Sequence, residues 1–160
     1  MNVLESFSLK GKVALVTGGA GLYGRQIVEA LAEAGAETYI ASRNLESLQQ
    51  VAKEELERGY NVTAMKLDLS EDESIENLHH DIIDKSGKCD ILINNAVSRE
   101  FGSAGWKNTL DDFDKSLRVN ASALFKITEM FAEDGFTDNL DSDPYLASKP
   151  EAVLKWLIAN

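Results

Sequence analysis

The sequence is poor in cysteine, histidine and basic residues, and each shortage argues against a class of protein. A single cysteine, Cys89, stands among the 160 residues, so no internal disulfide framework can form. With 16 basic and 27 acidic residues, the formal net charge is −11, which argues against a nucleic-acid partner and against an anionic membrane surface. We therefore expect a cytoplasmic protein that has neither nucleic acid nor membrane among its partners.

Export signals and metal ligands are also missing from the sequence. The first ten residues contain no basic stretch followed by a long apolar core, and no apolar run approaches the length that crosses a bilayer. The two histidines, His79 and His80, are adjacent on a predicted helix, where their side chains diverge by about 100°. No spacing of cysteine, histidine and carboxylate is typical of a ligand set, so we expect no metal site.

The most informative feature that is present is an apolar run leading directly into a glycine-rich loop. The run covers 12–17, the loop contains Gly18, Gly21 and Gly24, and a helical pattern follows at once. Glycines let the backbone turn sharply and approach a pyrophosphate, and the N–H groups at the start of the helix point towards it. In this strand–loop–helix context the pattern predicts a dinucleotide site, with an ordinary glycine-rich turn as the alternative.

Strands and helices alternate through the first half of the chain. Strands are predicted at 12–17, 37–42, 61–67 and 89–93, with a helix after each of the first three. This order predicts a parallel sheet with right-handed crossovers, that is, a three-layer, doubly wound α/β fold of the Rossmann type. We expect one domain over 1–160. Ser70 and Glu73 are interpreted as a capping box that opens the third helix.

The second half of the chain is predicted to be mainly helical. Two helical segments cover 109–120 and 121–133, and Thr109 with Asp112 forms a capping pair at the start of the first. The segment 134–143 contains four aspartates and one glycine, and is predicted to be a loop. From Tyr145 onwards the pattern is helical again.

Tyr145 and Lys149 are the candidate catalytic pair. They stand four residues apart and therefore share one face of a helix. An ammonium group beside a phenol favours the phenolate, and the phenol can then exchange a proton with a carbinol or carbonyl oxygen. Alone, such a pair is a common surface pattern, so its meaning depends on the other motifs.

Taken together, the motifs resemble those of the short-chain dehydrogenase/reductase family of nicotinamide-dependent oxidoreductases. In chain order they are Thr17 to Gly24, Asp68-Leu69, Asn94-Asn95-Ala96, Asn120 and Tyr145-Leu146-Ala147-Ser148-Lys149. The resemblance implies an enzyme that interconverts a secondary alcohol and a ketone. We also expect a small-molecule substrate and a homo-oligomer.

The resemblance further implies roles for individual residues. Tyr145 would be the acid/base, Lys149 would support it and bind the nicotinamide ribose, and Asn120 would hold a proton-relay water. Asp68 would lie near the adenine, with an Asx turn as the structural alternative, and a helix terminus is the alternative for Asn120. The residues expected at the cofactor are Gly18, Gly21, Leu22, Tyr23, Gly24, Arg43, Asp68, Leu69, Asn95, Ala96 and Lys149.

The end of the second predicted strand bears on the choice of cofactor. An acidic residue there would accept hydrogen bonds from a ribose 2′-hydroxyl, whereas a basic one would pair with a 2′-phosphate. The chain has Ala41-Ser42-Arg43 and no carboxylate at this corner. Arg43 therefore favours NADP(H), with NAD(H) as the alternative.

Three departures from the family pattern complicate this interpretation. Leu22 and Val97 stand where the family usually has glycines, and the spacing of Gly18, Gly21 and Gly24 is similar to that of sugar-nucleotide epimerases and dehydratases. The fifth strand, with its catalytic serine, cannot be found between Asn120 and Tyr145, and the later strands are also missing.

These departures leave two explanations and two alternative functions open. Either the sequence joins segments of a longer enzyme, with gaps within 134–144 and within 150–160, or the polypeptide is shortened and leaves a sheet edge exposed. We favour the first, because a sheet that loses a middle strand should be poorly soluble. The alternative functions are a catalytically inactive dinucleotide-binding module and a sugar-nucleotide epimerase or dehydratase.

Overall fold

A four-stranded parallel sheet forms the centre of the computed structural model, which describes residues 3–99 and 107–140. Its strands are β1 (Val13–Thr17), β2 (Glu37–Ser42), β3 (Val62–Lys66) and β4 (Ile91–Ile93). They lie in the order β3-β2-β1-β4, and each neighbouring pair is parallel. The predicted doubly wound α/β fold is confirmed, with β1, β3 and β4 slightly shorter than the sequence suggests.

Helices connect the strands and form the second half of the described chain. They are α1 (Val3–Ser6), α2 (Leu22–Glu33), α3 (Leu45–Glu57), α4 (Asp72–Ser86), α5 (Leu110–Leu117) and α6 (Ala123–Leu140). A π-helical segment, Arg118–Ser122, joins α5 to α6. Within 3–99 and 107–140, none of the helices combines the length and the apolarity needed to cross a bilayer.

Helices cover both faces of the sheet, so the core has two parts. One part joins α2 and α3 to the sheet through Val16, Val28, Ala32, Ile40, Leu48, Val51 and Val62. The other joins α4 and α6 to the opposite face through Leu15, Tyr39, Met65, Ile75, Leu78, Ile82, Ile127 and Phe131. Because both faces are covered, every residue of β1 is buried, which explains its continuous apolar run.

At the amino edge of the sheet, the side chain of Asp90 ties β1 to the segment before β4. Its carboxylate accepts a hydrogen bond from the backbone N–H of Val13 at 2.9 Å and pairs with Lys12 at 3.0 Å and Lys88 at 2.9 Å. Partial burial raises the pKa of Asp90, but the hydrogen bonds from Lys88, Val13 and Lys12 outweigh it and lower the pKa to about 2.

The predicted capping box at the start of α4 is wrong. The helix begins at Asp72, and its N-cap residue, Glu71, makes no side-chain cap hydrogen bond. Ser70 is used by a turn before the helix, because its hydroxyl donates to Asp68 Oδ1 at 2.6 Å. In the same turn, the backbone N–H of Asp68 donates to Ser74 Oγ at 2.9 Å. Ser70 therefore belongs to the turn that precedes the helix and is not its N-cap residue.

The predicted loop over 134–143 is also wrong in its described part, because α6 continues to Leu140. The predicted boundary between helices at 120 and 121 is likewise bridged by the π-helical segment. A single glycine costs a helix only about 1 kcal/mol, and a helix needs no apolar partners along its whole length. Residues 141–160, including Tyr145 and Lys149, lie outside the described residues.

Candidate functional site

The loop after β1 is a tight turn that depends on glycine, most clearly at Gly18 and Gly24. Gly18 has φ of 71°, a conformation that L side chains rarely adopt. Its N–H donates to Ala41 O at 2.7 Å, and its carbonyl accepts from the N–H of Gly21 at 3.0 Å. A Cβ at Gly24 would lie 2.2 Å from the Gly18 carbonyl oxygen. The start of α2 can therefore approach the end of β1 only because Gly24 has no side chain.

The first turn of α2 is left without a side-chain cap. Gly21 is the N-cap residue and makes no side-chain hydrogen bond. The first N–H groups of a helix have no intrahelical partner, and together with the helix dipole they attract an anion. Leu22 and Tyr23, which begin the helix, are 78% and 66% exposed.

Thr17, the last residue of β1, holds the loop that follows β4. Its side chain is buried, and its Oγ1 accepts hydrogen bonds from the N–H groups of Asn95 at 3.1 Å and Ala96 at 3.0 Å. Asn95 Nδ2 donates in turn to the carbonyls of Thr17 at 3.0 Å and Gly18 at 3.1 Å. This role of Thr17 was not predicted from the sequence, where Thr17 was only part of a motif. A polar residue at the end of an apolar strand was a usable signal.

Asn120 lies inside the π-helical segment and holds the same loop from the other side. Its Oδ1 accepts from the N–H of Ser98 at 2.8 Å, and its Nδ2 donates to the carbonyl of Ser98 at 2.9 Å and to Ser116 Oγ at 3.1 Å. A helix terminus at Asn120 is therefore wrong, because the chain stays helical on both sides of it. π-helical turns occur often at functional sites. The proton-relay role remains a prediction.

Asp68 forms a compact turn after β3. Its Oδ1 accepts from both the N–H and the hydroxyl of Ser70, at 2.9 and 2.6 Å. The side-chain hydrogen bond from Ser70 is the main cause that lowers the pKa of Asp68, and the charges of Arg43 and Lys66 act in the same direction. The Asx turn is therefore confirmed, and the carboxylate is ionised at neutral pH.

These loops enclose a cavity of about 990 Å³ at the carboxyl edge of the sheet. Parallel sheets bind ligands at this edge, because the loops that follow the strands meet there. Every cofactor residue that the sequence predicted within the described ranges lines the cavity: Gly18, Gly21, Leu22, Tyr23, Gly24, Arg43, Asp68, Leu69, Asn95 and Ala96. Lys149, the remaining predicted cofactor residue, lies outside those ranges.

The cavity is basic although the protein is acidic. Four cationic side chains line it, namely Arg43, Arg99, Lys115 and Arg118. The acidic residues that line it are Asp68 and Asp114. Arg99, Lys115 and Arg118 were not predicted from the sequence. Lys115 and Arg118 gave a usable signal, because they are three residues apart and so share a helix face close to Asn120. A positive cavity in a chain of net charge −11 is suited to an anionic ligand.

The two histidines take no part in this cavity. The ring of His79 packs edge-on against Phe131, with 4.9 Å between centroids, and His80 pairs with Asp84 at 3.4 Å. Across the described parts of the chain, no three side chains of histidine, cysteine, aspartate or glutamate lie close enough together to hold a metal ion.

A family model described as short chain dehydrogenase matches residues 12–137. The chain belongs to the short-chain dehydrogenase family. The motifs that the sequence analysis compared with this family lie, in their described part, around the cavity or in the helix beside it.

Two curated relatives illustrate the sequence likeness. The chain is 35% identical over 126 residues to the short chain dehydrogenase/reductase dpchG of Colletotrichum higginsianum, a match that covers 78% of this chain and 47% of the relative. It is 31% identical over 159 residues to an uncharacterized oxidoreductase of Thermotoga maritima, covering 88% of this chain and 61% of the relative. The chain thus spans about half the length of the curated relatives it matches.

A solved structure shows the same fold. It is a metagenomic short-chain oxidoreductase in complex with NADP, which is 29% identical and superposes with a TM-score of 0.74. The match covers 79% of this chain and 57% of the other.

Proposed function

We propose that this short-chain dehydrogenase binds NADP(H) in the cavity and that the complete protein uses it to interconvert a secondary alcohol and a ketone. The observation that carries the proposal is the cavity itself, where the glycine turn, the uncapped start of α2 and four cations meet. The close approach of Gly24 to Gly18 keeps side chains out of the place where a pyrophosphate would reach the helix end. The crystallised metagenomic relative with NADP supports the same ligand class.

Arg43 supports a preference for NADP(H) over NAD(H). It follows β2 directly, lines the cavity and has no carboxylate neighbour at 41 or 42. A guanidinium is suited to a 2′-phosphate, whereas a 2′-hydroxyl would need an acceptor at this corner. Titration calorimetry with NADPH and NADH tests the preference, and equal affinity for the two would contradict it.

Tyr145 and Lys149 are the residues that we propose for proton transfer. Bound NADPH supplies the hydride. The phenol of Tyr145 gives its proton to the substrate oxygen, and the Lys149 ammonium stabilises the phenolate that results. Asn120 fixes the loop at Ser98, which lines the cavity.

The variant Tyr145→Phe tests this assignment. We expect a loss of ketone reduction of about a hundredfold or more, because the proton donor is removed, with NADPH affinity unchanged. Tyr60→Phe is the matched control, since the Tyr60 hydroxyl donates to the surface residue Glu33 at 3.4 Å, away from the cavity. Turnover that survives in Tyr145→Phe would remove Tyr145 from the mechanism.

We also propose that this chain lacks residues that its family has before Tyr145, within 134–144, with a second gap within 150–160. The match to the Thermotoga maritima relative supports a gap, because it extends over 159 residues but covers only 88% of this chain. The sequence would then join segments of a longer enzyme. The intact mass of the natural protein tests this, and a mass of 17.6 kDa would instead mean a genuinely shortened polypeptide.

A dinucleotide-binding module without turnover is the second candidate. Within the described residues β4 pairs only with β1, which leaves its outer edge without a strand. Such a module would bind NADPH but reduce no ketone in a panel assay. The family match does not favour the sugar-nucleotide epimerase or dehydratase that the glycine spacing suggested.

We further propose that the protein is cytoplasmic and homo-oligomeric. Apolar side chains on α5 and the start of α6 are exposed and support a contact between copies: Leu110, Phe113, Leu117, Leu124 and Phe125. Light scattering coupled to size exclusion tests this, and a monomer at micromolar concentration would contradict it.

A further inference from the structure

Arg118 is a cavity residue whose guanidinium is fixed by two neighbours. It lies in the π-helical segment, two residues before Asn120. Its Nε donates to the carbonyl of Ser70 at 3.3 Å, and its Nη2 donates to Asp72 Oδ1 at 2.8 Å. The side chain is 30% exposed and lines the cavity. A guanidinium has five N–H donors, and these contacts use two of them.

Arg43 and Arg118 act on the same short turn, Asp68 to Ser70. The charge of Arg43 lowers the pKa of Asp68, while Arg118 donates to Ser70, whose own N–H and hydroxyl bind Asp68. Arg118 therefore contacts this turn directly, and the positive charge of Arg43 acts on its carboxylate. Both groups line the cavity in which we propose that NADP(H) binds.

We propose that Arg118 is a second specificity-determining residue, which acts with Arg43 on the 2′-phosphate of NADP(H). This inference rests on the proposed function. The guanidinium of Arg118 is already oriented by its contacts to Ser70 and Asp72. A pre-oriented guanidinium loses little conformational freedom when it binds a phosphate, and its planar N–H groups match phosphate oxygens.

A purely structural role for Arg118 makes a different prediction. If Arg118 only holds the turn, its removal weakens every adenine nucleotide equally. If it binds the 2′-phosphate, its removal weakens only nucleotides that have that group. Adenosine 2′,5′-bisphosphate and 5′-AMP therefore separate the two roles, because they differ only in the 2′-phosphate.

The experiment measures the affinity of the whole chain for both nucleotides by titration calorimetry, in wild type, Arg118→Gln and Lys126→Gln. Lys126 is the matched control, because its Nζ pairs with the same Asp72 Oδ1 at 3.0 Å but is not among the residues that line the cavity. In Arg118→Gln we expect affinity for the bisphosphate to fall about tenfold or more and affinity for 5′-AMP to change less than about threefold. Lys126→Gln should leave both within about threefold.

The outcomes distinguish this inference from the proposed function. A wild type that binds the bisphosphate no better than 5′-AMP overturns both the NADP(H) preference and the role of Arg118. A wild type that discriminates, with Arg118→Gln discriminating equally well or losing both affinities equally, overturns the inference alone. If Arg118→Gln does not fold, Arg118→Lys decides, since it keeps the charge but loses the planar donor pair. A selective loss for the bisphosphate then supports the inference, and no selective loss overturns it.

Discussion

At the carboxyl edge of the sheet polar groups surround a cavity, whereas at the amino edge they pair with one another. The amino edge has the Asp90 carboxylate between Lys12 and Lys88, and the Tyr39 hydroxyl between Glu37 at 3.0 Å and Ser86 at 2.7 Å. Both edges belong to the same four strands. The difference shows that polar groups at one end of a parallel sheet can pair within the protein, while those at the other end can also line a ligand cavity.

The pKa values of Cys89 and Asp68 also differ between the two edges of the sheet. Burial raises the pKa of the Cys89 thiol to about 11, so the thiol stays protonated and unreactive near the amino edge. The pKa of Asp68, at the carboxyl edge, is lowered chiefly by its hydrogen bond from Ser70. Its ionised carboxylate lines the cavity.

The largest effect on stability and on NADPH binding is expected from Gly24→Ala, which would disturb the turn at the carboxyl edge. The new Cβ would lie 2.2 Å from the Gly18 carbonyl oxygen, so α2 would have to move away from β1. We expect the free energy of unfolding to fall by about 3 kcal/mol and NADPH binding to be lost. Urea unfolding and titration calorimetry measure the two effects.

Gly21→Ala is the milder partner of that variant. Its Cβ would lie 3.3 Å from the same oxygen, a distance that small shifts can relieve. We expect it to bind NADPH more weakly than wild type but to stay folded. Wild-type binding by Gly24→Ala would show that the close approach of α2 to β1 is not needed for the nucleotide.

A smaller effect is expected from Thr17→Val, which removes one polar link at the carboxyl edge. The N–H groups of Asn95 and Ala96 would both lose the acceptor that Thr17 Oγ1 provides. We expect a loss of about 1–3 kcal/mol in the free energy of unfolding and weaker NADPH binding. Thr17→Ser keeps the hydroxyl and should behave like wild type in both measurements. Equal behaviour of the Val and Ser variants would show that the hydroxyl does not hold the loop.

The smallest effect is expected from Asp90→Asn, at the amino edge. The folded-state pKa of Asp90, about 2, lies below the unfolded value of about 3.9, so its ionisation stabilises the fold above about pH 4. Because solvent screens the pairs with exposed lysines, we expect the variant to lose about 1–2 kcal/mol at pH 7. The difference should shrink as pH falls from 4 towards 2, in urea unfolding curves taken at each pH.

NADPH affinity should not change in Asp90→Asn, because Asp90 lies at the opposite edge from the cavity. A fall in NADPH affinity as large as the one in Thr17→Val would mean that the two edges are coupled through β1. The conclusion that only the carboxyl edge takes part in binding the nucleotide would then be wrong.

The features predicted correctly from the sequence were mostly those that depend on residues close together in the chain. The buried run of β1, the turn at Gly18 and the capping box of Thr109 with Asp112 were all predicted, because each depends on a few consecutive residues. The box at Ser70 and Glu73 had the same local form and was wrong. Ser70 donates to the Asp68 carboxylate in the turn before the helix. Sequence spacing does not reveal whether such a serine belongs to the turn or caps the helix.

The residues of the candidate site also fall into those that the sequence predicted and those that it did not. Its glycines, Arg43 and Asp68 were predicted because motif residues follow the strands directly, and the carboxyl ends of parallel strands meet at one edge. Ser98 and Arg118 were not predicted. Ser98 acts through its backbone groups, which any residue has, and Arg118 meets Ser70 across 48 positions of sequence.

Composition and short-range pattern are enough to specify the alternation of strands and helices, the glycine turn and the acidic net charge. They do not reveal that four of the 16 basic residues line one cavity, or that Thr17 and Asn120 both hold the loop after β4. The physical reason is that hydrogen bonds and charge contacts between distant residues depend on how the strands and helices pack, and packing brings together residues that share no sequence pattern.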